Sequence, residues 1–351
     1  MKKLRVAVIG CGRIAAVYKS ALQHLGDECQ VVLAMDKDLA RARAFAADFP
    51  GCEAEADVSD VGFAVALART GAELVHILLP HHLHCRYAIA AMNAGVDVLT
   101  EKPIAITLEE ADRMIAAQKA TGRKLGVIFQ NRYIDGVQRV RRLIRDGELG
   151  KVQGAFSTLN WHRPPSYYAC DWKGRWDTEG GGVVIDQAIH SLDLVRYMTG
   201  MDAVRVQAHT ARRVLRNIEV EDEADAAITL ENGAVYSFFA SNYYTFNSPI
   251  RVEIHCANGT ALLTQEEMRI QWTDGHVEEI HPAAAAQTAP GESYWGAFHE
   301  MQIRDCYAAL RAGRTLPWTP QDARKTLELV QAIYLSARVQ SEVELRAGTV
   351  L

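Results

Sequence analysis

Residues 6–15 read VAVIGCGRIA, a run of β-branched and apolar residues that breaks into Gly10-Cys11-Gly12-Arg13-Ile14-Ala15. The G-x-G-x-x-A spacing is that of a dinucleotide turn. Gly10 permits a sharp exit from a buried strand, Gly12 brings no Cβ against a pyrophosphate, and Ala15 lets the next helix pack closely on the sheet. That helix, beginning near Arg13 and Ile14, offers its N–H groups and positive dipole end to the phosphates. An ordinary strand-to-helix turn would show the same glycines, so context decides. VVLAMD at 31–36 is a second apolar strand ending in Asp36, about 20 residues past the glycines, where a carboxylate accepts hydrogen bonds from ribose hydroxyls and repels a 2′-phosphate. NAD is therefore expected ahead of NADP, with Lys37, Arg41 and Arg43 close enough to keep NADP open. The alternative for Asp36 is a cap on the helix that starts near Leu39.

Apolar strand-like runs recur at 4–9, 31–35, 74–79, 96–99 and 125–129, separated by stretches of helical periodicity at 39–48, 83–93 and 108–121. Such alternation predicts an α/β fold, a doubly wound parallel sheet of the Rossmann type over residues 1–125. The loops after Ile9, Met35, Leu79 and Leu99 then line one crevice at the carboxyl ends of the strands.

The chain has 351 residues, 49% of them hydrophobic and 23% charged, with a net charge of −5. That length calls for two domains, and the charge argues against nucleic-acid or anionic-membrane partners. No apolar stretch approaches the roughly 18 residues of a membrane span. Seven cysteines lie scattered without a C-x-x-C pair, which reads as reduced thiols in a cytoplasmic protein. His81, His82 and His84 lack both helical ligand spacing and a carboxylate cluster, so no metal is expected.

Beyond Phe129 the pattern changes. A helix is predicted over 134–146, then strands at 152–160, 203–211, 222–230, 234–241, 249–256 and 259–265, with Asn-Gly pairs at 232–233 and 258–259 closing hairpins. Helices at 293–312 and 320–339 complete an α+β domain over 126–351, with an open, mainly antiparallel sheet; Ala283 to Ala286 read as a loop.

The stretch NWHRPPSYYACDWKGRWDTEGGG, 160–182, interleaves aromatic and cationic residues, a composition suited to stacking on and hydrogen-bonding a polyol. GGGVVIDQAIHSLDL follows at 180–194. On a helix over 183–197, Asp186, His190 and Asp193 share one face of an otherwise apolar cylinder, and a partly buried His beside a carboxylate suits proton transfer near neutrality.

Three motifs together, GCGRIA at 10–15, EKP at 101–103 and GGGVVIDQAIHSLD at 180–193, resemble the Gfo/Idh/MocA family of NAD(P)-dependent sugar and cyclitol oxidoreductases. The resemblance implies a catalytic Lys102, with Asp186 and His190 completing the site. It also implies cofactor contacts from Gly10, Gly12, Arg13, Ile14, Asp36, Glu101 and Lys102 and from the LPHHLH turn through Pro80, His81 and His84. In that turn His81 stands where an Asn is more usual. Lys102 would stabilise alkoxide character while His190 takes the hydroxyl proton. The W-x-G-x-W…GGG stretch is most similar to the branch acting at C3 of pyranose rings, with Arg163, Tyr168, Trp172, Arg175, Trp176 and Gln187 as substrate contacts and a sugar, glycoside, nucleotide sugar or cyclitol as substrate. Rival readings are an NAD-dependent glycosidase using transient C3 oxidation and a non-catalytic NAD-binding regulator. A homodimer or homotetramer built through the open sheet face is expected.

Overall fold

The computed structural model describes residues 2–282 and 298–345, which form two compact units. One is drawn from Met1–Gln130 and Thr288–Arg324 and the other from Asn131–Gln287 and Lys325–Leu351, each over its described residues.

The first unit alternates β1 (Leu4–Ile9), α1 (Ala15–His24), β2 (Cys29–Met35), α2 (Leu39–Ala46), β3 (Glu53–Glu55), α3 (Asp60–Thr70), β4 (Leu74–Ile77), α4 (His84–Asn93), β5 (Asp97–Thr100), α5 (Leu108–Thr121) and β6 (Leu125–Val127). Its six strands run in the order β3-β2-β1-β4-β5-β6, every pairing parallel. Val6, Val8, Ile9, Leu33, Leu74, Ile77, Val98 and Leu99 are wholly buried, as expected of strands covered by helices on both faces. The order reverses between β1 and β4, so the loops after these two strands flank the crevice where such sheets bind ligands. The fold class is thus the α/β, doubly wound sheet read from the alternation. β3 and α3 were not anticipated, because an edge strand reading Glu-Ala-Glu carries no apolar run.

The second unit contains α6 (Asp135–Arg145), β7 (Val152–Asn160), α7 (Trp176–Glu179), a π-helical turn (Val184–Ala188), α8 (Ile189–Thr199), β8 (Ala203–Ala211), β9 (Glu223–Leu230), β10 (Val235–Ser241), β11 (Arg251–Cys256), β12 (Gly259–Thr264), β13 (Glu267–Trp272) and β14 (Val277–Ile280). Then follow α9 (His299–Arg311), which belongs to the first unit, α10 (Pro320–Val339) and β15 (Val343–Glu344). The sheet order is β14-β13-β12-β11-β7-β10-β9-β8-β15, antiparallel except for β7 beside β10. On β11, Val252 and Ile254 point into the core while Arg251, Glu253 and His255 face outward, the period-two alternation of a half-covered sheet. α8 packs over β7 and β11, and α6 over β12 and β13.

The expected boundary at 125/126 differs from these units, because α9 joins the first. Gln302 Oε1 accepts from Phe129 N at 3.0 Å and its Nε2 donates to Val127 O at 3.0 Å, satisfying backbone groups at the end of edge strand β6 and just beyond it. The predicted helix start at 293 and the loop at 283–286 lie outside the described residues.

Candidate active site

Gly10 has φ 96°, and a Cβ there would stand 2.5 Å from Leu78 O, so only glycine fits beneath the β4 loop. At Gly12 no heavy atom lies within 4 Å of an added Cβ; the space above it is open. α2, α3 and α5 are capped by the side chains of Asp38, Ser59 and Thr107, whereas the start of α1 has no side-chain cap. An uncapped helix start beside a bare glycine fits a pyrophosphate. Arg13 is exposed at this turn and Ile14 half-buried. Burial and the neighbouring Asp36 carboxylate push the Cys11 thiol up to about 12, leaving a small neutral group there.

Asp36 is buried, and its two oxygens accept from Cys11 N at 2.8 Å and Asp38 N at 2.9 Å. The cap of α2 is Asp38, which accepts from Ala40 N, so Asp36 is left to orient toward the dinucleotide turn. Arg41 lies 3.4 Å from Asp38.

Around EKP the side chains divide. Glu101 points into the unit: its Oε1 accepts from Tyr18 Oη at 2.8 Å and lies 3.3 Å from His299 Nε2, while its Oε2 accepts from Lys102 N. Burial alone would raise its pKa, but the His299 imidazole, the Lys102 ammonium and the Tyr18 hydroxyl together hold it at about 2. Lys102, next in the chain, is half-exposed at the carboxyl end of β5. His84 sets its ring between Pro103 O at 2.7 Å and Leu79 O at 2.9 Å, tying the β4 loop to the EKP turn. His81 is buried with its ring 5.9 Å from that of His84, and Pro80 is half-buried. Among the described residues no group of three or more His, Cys, Asp or Glu is placed to hold a metal, and no disulfide forms.

In the second unit two of the three glycines before the π-turn, Gly181 and Gly182, make room for the protein itself. A Cβ on Gly181 would meet Tyr334 Oη at 2.1 Å, and one on Gly182 would meet Glu221 O at 1.9 Å. Glu221 accepts from Gly182 N at 2.9 Å, Val184 N at 3.0 Å and Tyr334 Oη at 2.8 Å. The Glu221 carboxyl therefore caps the start of the helical segment that carries Asp186 and His190.

Burial pushes the Glu221 carboxyl up to about 7 against these donors. The folded protein keeps that proton to about pH 7, whereas an unfolded chain releases it near 4.5. Its contribution to stability is therefore full in acid and lost as pH rises toward 7. Glu221→Gln, which does not ionise, is expected to flatten that fall in the unfolding midpoint between about pH 5 and 7. Parallel slopes in the two proteins would show that Glu221 is ionised throughout.

The predicted helix over 183–197 begins as the π-helical Val184–Ala188 turn, a form that recurs at functional sites. Asp186 and His190 are 8% and 9% exposed. Asp186 Oδ2 accepts from Lys173 Nζ at 2.5 Å, Tyr167 Oη at 2.8 Å and Gln187 Nε2. Asp193, expected on the same face, is engaged elsewhere: Arg132 Nε donates to it at 2.7 Å and Thr326 Oγ1 at 2.9 Å, all in the core of the unit.

The residues singled out in 160–182 fall into two sets. Arg163 and Tyr168 are buried: Arg163 donates to His162 O and Asn247 Oδ1 and stacks over Trp161, and Tyr168 packs on Leu215, Ile218 and Val220 and accepts from Asn242. Gln187 is also buried, its Oε1 accepting from Asn242 at 2.9 Å. Arg175 and Trp176 are exposed, and Trp172 is half-buried beneath the Lys173 ammonium, 4.3 Å from ring centre to Nζ. Sequence reasoning passed over Tyr167, Lys173, Glu179, Glu221 and Asn242 as site residues. Only the alternation of cations and aromatics in 160–182 hinted at the first two.

A family model described as the oxidoreductase family, NAD-binding Rossmann fold, matches residues 4–129, and the GFO/IDH/MocA C-terminal domain matches 137–262. D-apiose dehydrogenase of Paraburkholderia graminis is 30% identical over 99% of this chain and 91% of its own length. D-glucoside 3-dehydrogenase of Escherichia coli is 30% identical over 60% of this chain and 58% of its own. The crystal structure of the WlbA dehydrogenase from Bordetella pertussis in complex with NADH and UDP-GlcNAcA superposes with a TM-score of 0.83 at 28% identity, covering 99% of this chain and all of that one. With an open glycine turn, an uncapped helix start and matching models on both halves, the chain belongs to the GFO/IDH/MocA family of NAD-dependent oxidoreductases.

Proposed function

We propose that the protein transfers hydride between NAD(H) and a ring carbinol or ketone of a sugar, glycoside, nucleotide sugar or cyclitol, with C3 of a pyranose as the favoured position. The observation that carries this reading is a buried Asp186 on the π-turn followed by a buried His190 at the start of α8, in a chain whose other unit holds the glycine turn and Lys102. Bound NAD supplies or accepts the hydride. Lys102 holds the substrate oxygen and stabilises alkoxide character. His190 takes the hydroxyl proton in oxidation and returns it in reduction. Asp186 accepts a hydrogen bond from a neighbouring hydroxyl. The relatives' names and the aromatic-rich 160–182 segment support the substrate class. Assembly as a homodimer or homotetramer through the outward sheet face, where Phe156, Phe239 and Leu262 are half-buried, belongs to the same reading, as does residence in the cytoplasm. No helix among the described residues is long and apolar enough to cross a membrane.

Screening aldoses, glycosides, inositols, nucleotide sugars and their keto forms for a change in reduced-nicotinamide absorbance tests the reaction. Activity confined to simple alcohols or α-hydroxy acids would overturn it. NAD is proposed over NADP because Asp36 presents a carboxylate where a 2′-phosphate would lie. A hydrogen bond to a charged group is worth about 1.5–3 kcal/mol, so Asp36→Ala is expected to weaken NADH binding by about tenfold or more in calorimetric titration. Tighter NADPH than NADH binding in the parent protein would contradict the preference.

A further inference from the structure

A buried charged cluster joins Asp186 to Lys173 and Glu179, which the proposed reaction does not use. The Lys173 side chain is 11% exposed, and its ammonium lies 2.5 Å from Asp186 Oδ2 and 3.0 Å from Glu179 Oε1, with the rings of Tyr167 and Trp172 at 4.6 and 4.3 Å. A lysine in such a place has lost its water, and its carboxylates, with the two aromatic rings, repay that loss. Burial alone would lower its pKa, yet Asp186 and Glu179 hold it well above the ordinary lysine value. The two carboxylates are not equivalent. Glu179 Oε1 lies 3.0 Å from the ammonium and its Oε2 accepts from Gly174 N, while burial pushes its pKa upward against these partners. Asp186 Oδ2 is the nearer oxygen, at 2.5 Å.

Asp186 Oδ2 also accepts from the Tyr167 hydroxyl and Gln187 Nε2. Tyr167 cannot supply a counter-charge: burial first, then Asp186, drives its pKa far above the ordinary phenol value. Arg163, 5.1 Å over the Tyr167 ring, spends its guanidinium Nη1 on His162 O and Asn247. Three donors, one of them an ammonium, converge on a single oxygen of a group that accepts with every lone pair only when ionised.

Resting on the proposed dehydrogenase reading, we propose that Lys173 is a positioning residue that locks Asp186 as a fixed carboxylate, so that Asp186 orients a substrate hydroxyl and does not itself carry the reaction's proton, leaving that task to His190. Without Lys173, Asp186 becomes a buried carboxylate facing a phenol and an amide, and it protonates near the working pH.

The test combines Lys173→Met, Asp186→Asn and the double variant. In infrared titration of the full-length protein, the carboxyl C=O band that Asp186→Asn removes is expected to appear only in acid in the parent. In Lys173→Met it should appear about one to three pH units higher, the span an opposite charge nearby imposes. An unshifted band overturns the proposal, and so does a band already titrating near neutrality in the parent. With a substrate found by the screen, Lys173→Met is expected to move the acid limb of the kcat profile upward by the same span, leaving NADH affinity unchanged; a profile that does not move overturns the positioning role. If Lys173→Met does not fold, Lys173→Met/Asp186→Asn is expected to fold, because the stranded charge is gone. Failure of both would mean that the Lys173 ammonium is needed for folding through Glu179 and not through Asp186, which overturns the proposal. If no sugar or cyclitol turns over, the dehydrogenase reading fails by itself, and the infrared titration still judges the lock.

Discussion

His190→Ala is expected to lower turnover at least about a hundredfold, since loss of a positioned acid or base costs roughly 10² to 10⁴ in rate. Lys102→Ala is expected to cost about 10² to 10³, the size of a lost oxyanion-stabilising group. Neither substitution touches what fits the pyrophosphate: the open space at Gly12, the uncapped start of α1, and Asp36 held by the amides of Cys11 and Asp38. NADH should therefore bind within a few-fold of the parent, measured by fluorescence or calorimetric titration alongside steady-state rates. The split between rate and binding separates chemistry from folding. A His190→Ala enzyme that keeps most of its rate would remove His190 from the mechanism. Loss of NADH binding in both variants would mean that these side chains support the fold and that their chemical assignment is wrong. The acid/base roles also imply different pH behaviour, because only the His190 variant should lose the limb that reports proton transfer.

Asp193→Asn is expected to destabilise the protein by about 3–5 kcal/mol, the usual consequence of removing one partner from a buried ion pair. Arg132 and Asp193 have side chains only 3% and 2% exposed, and Thr326 donates to the same carboxylate and accepts from Arg196 Nη1. Leaving the Arg132 guanidinium buried beside a neutral amide strands a charge in low dielectric. The size of the effect is a large part of the roughly 5–15 kcal/mol that keeps a domain folded. Urea unfolding of the parent and the variant measures it. A change below about 1 kcal/mol, the value of an exposed pair, would show that water reaches this pair. In the fraction that remains folded, turnover should be close to that of the parent, which distinguishes Asp193 from Asp186 and His190, seven and three residues earlier on the same segment.

That contrast marks the division between what was legible in the chain and what was not. The Rossmann half was readable because its signals are local. Gly10 is dictated by the turn it occupies, Asp36 is marked by the end of a strand, and the strands by runs of apolar residues that need both faces covered. β7, β8 and α10 fall on their expected bounds for the same reason. Where local signal is weak, expectation failed: β3, β13, β14 and β15 are short, polar or edge strands whose pairing depends on a neighbour.

By itself the sequence determined that residues 10–15 form a strand-to-helix glycine turn, that Asp36 and Lys102 follow the carboxyl ends of parallel strands, and that Asp186 and His190 rise from one short segment. Those facts follow from spacing along one strand or one helix, which a periodic pattern encodes. Only the tertiary structure decided which carboxylate does what. Asp193 meets Arg132, 61 residues earlier, and Thr326, 133 residues later, while Asp186 meets Lys173 and Tyr167 from the preceding loop. It also decided why Gly181 and Gly182 are glycines, since the atoms they avoid belong to Tyr334 and Glu221. Helical periodicity places a side chain on a face. The partner on that face, and with it the charge the side chain carries, is chosen by distant segments brought in through sheet register and helix packing.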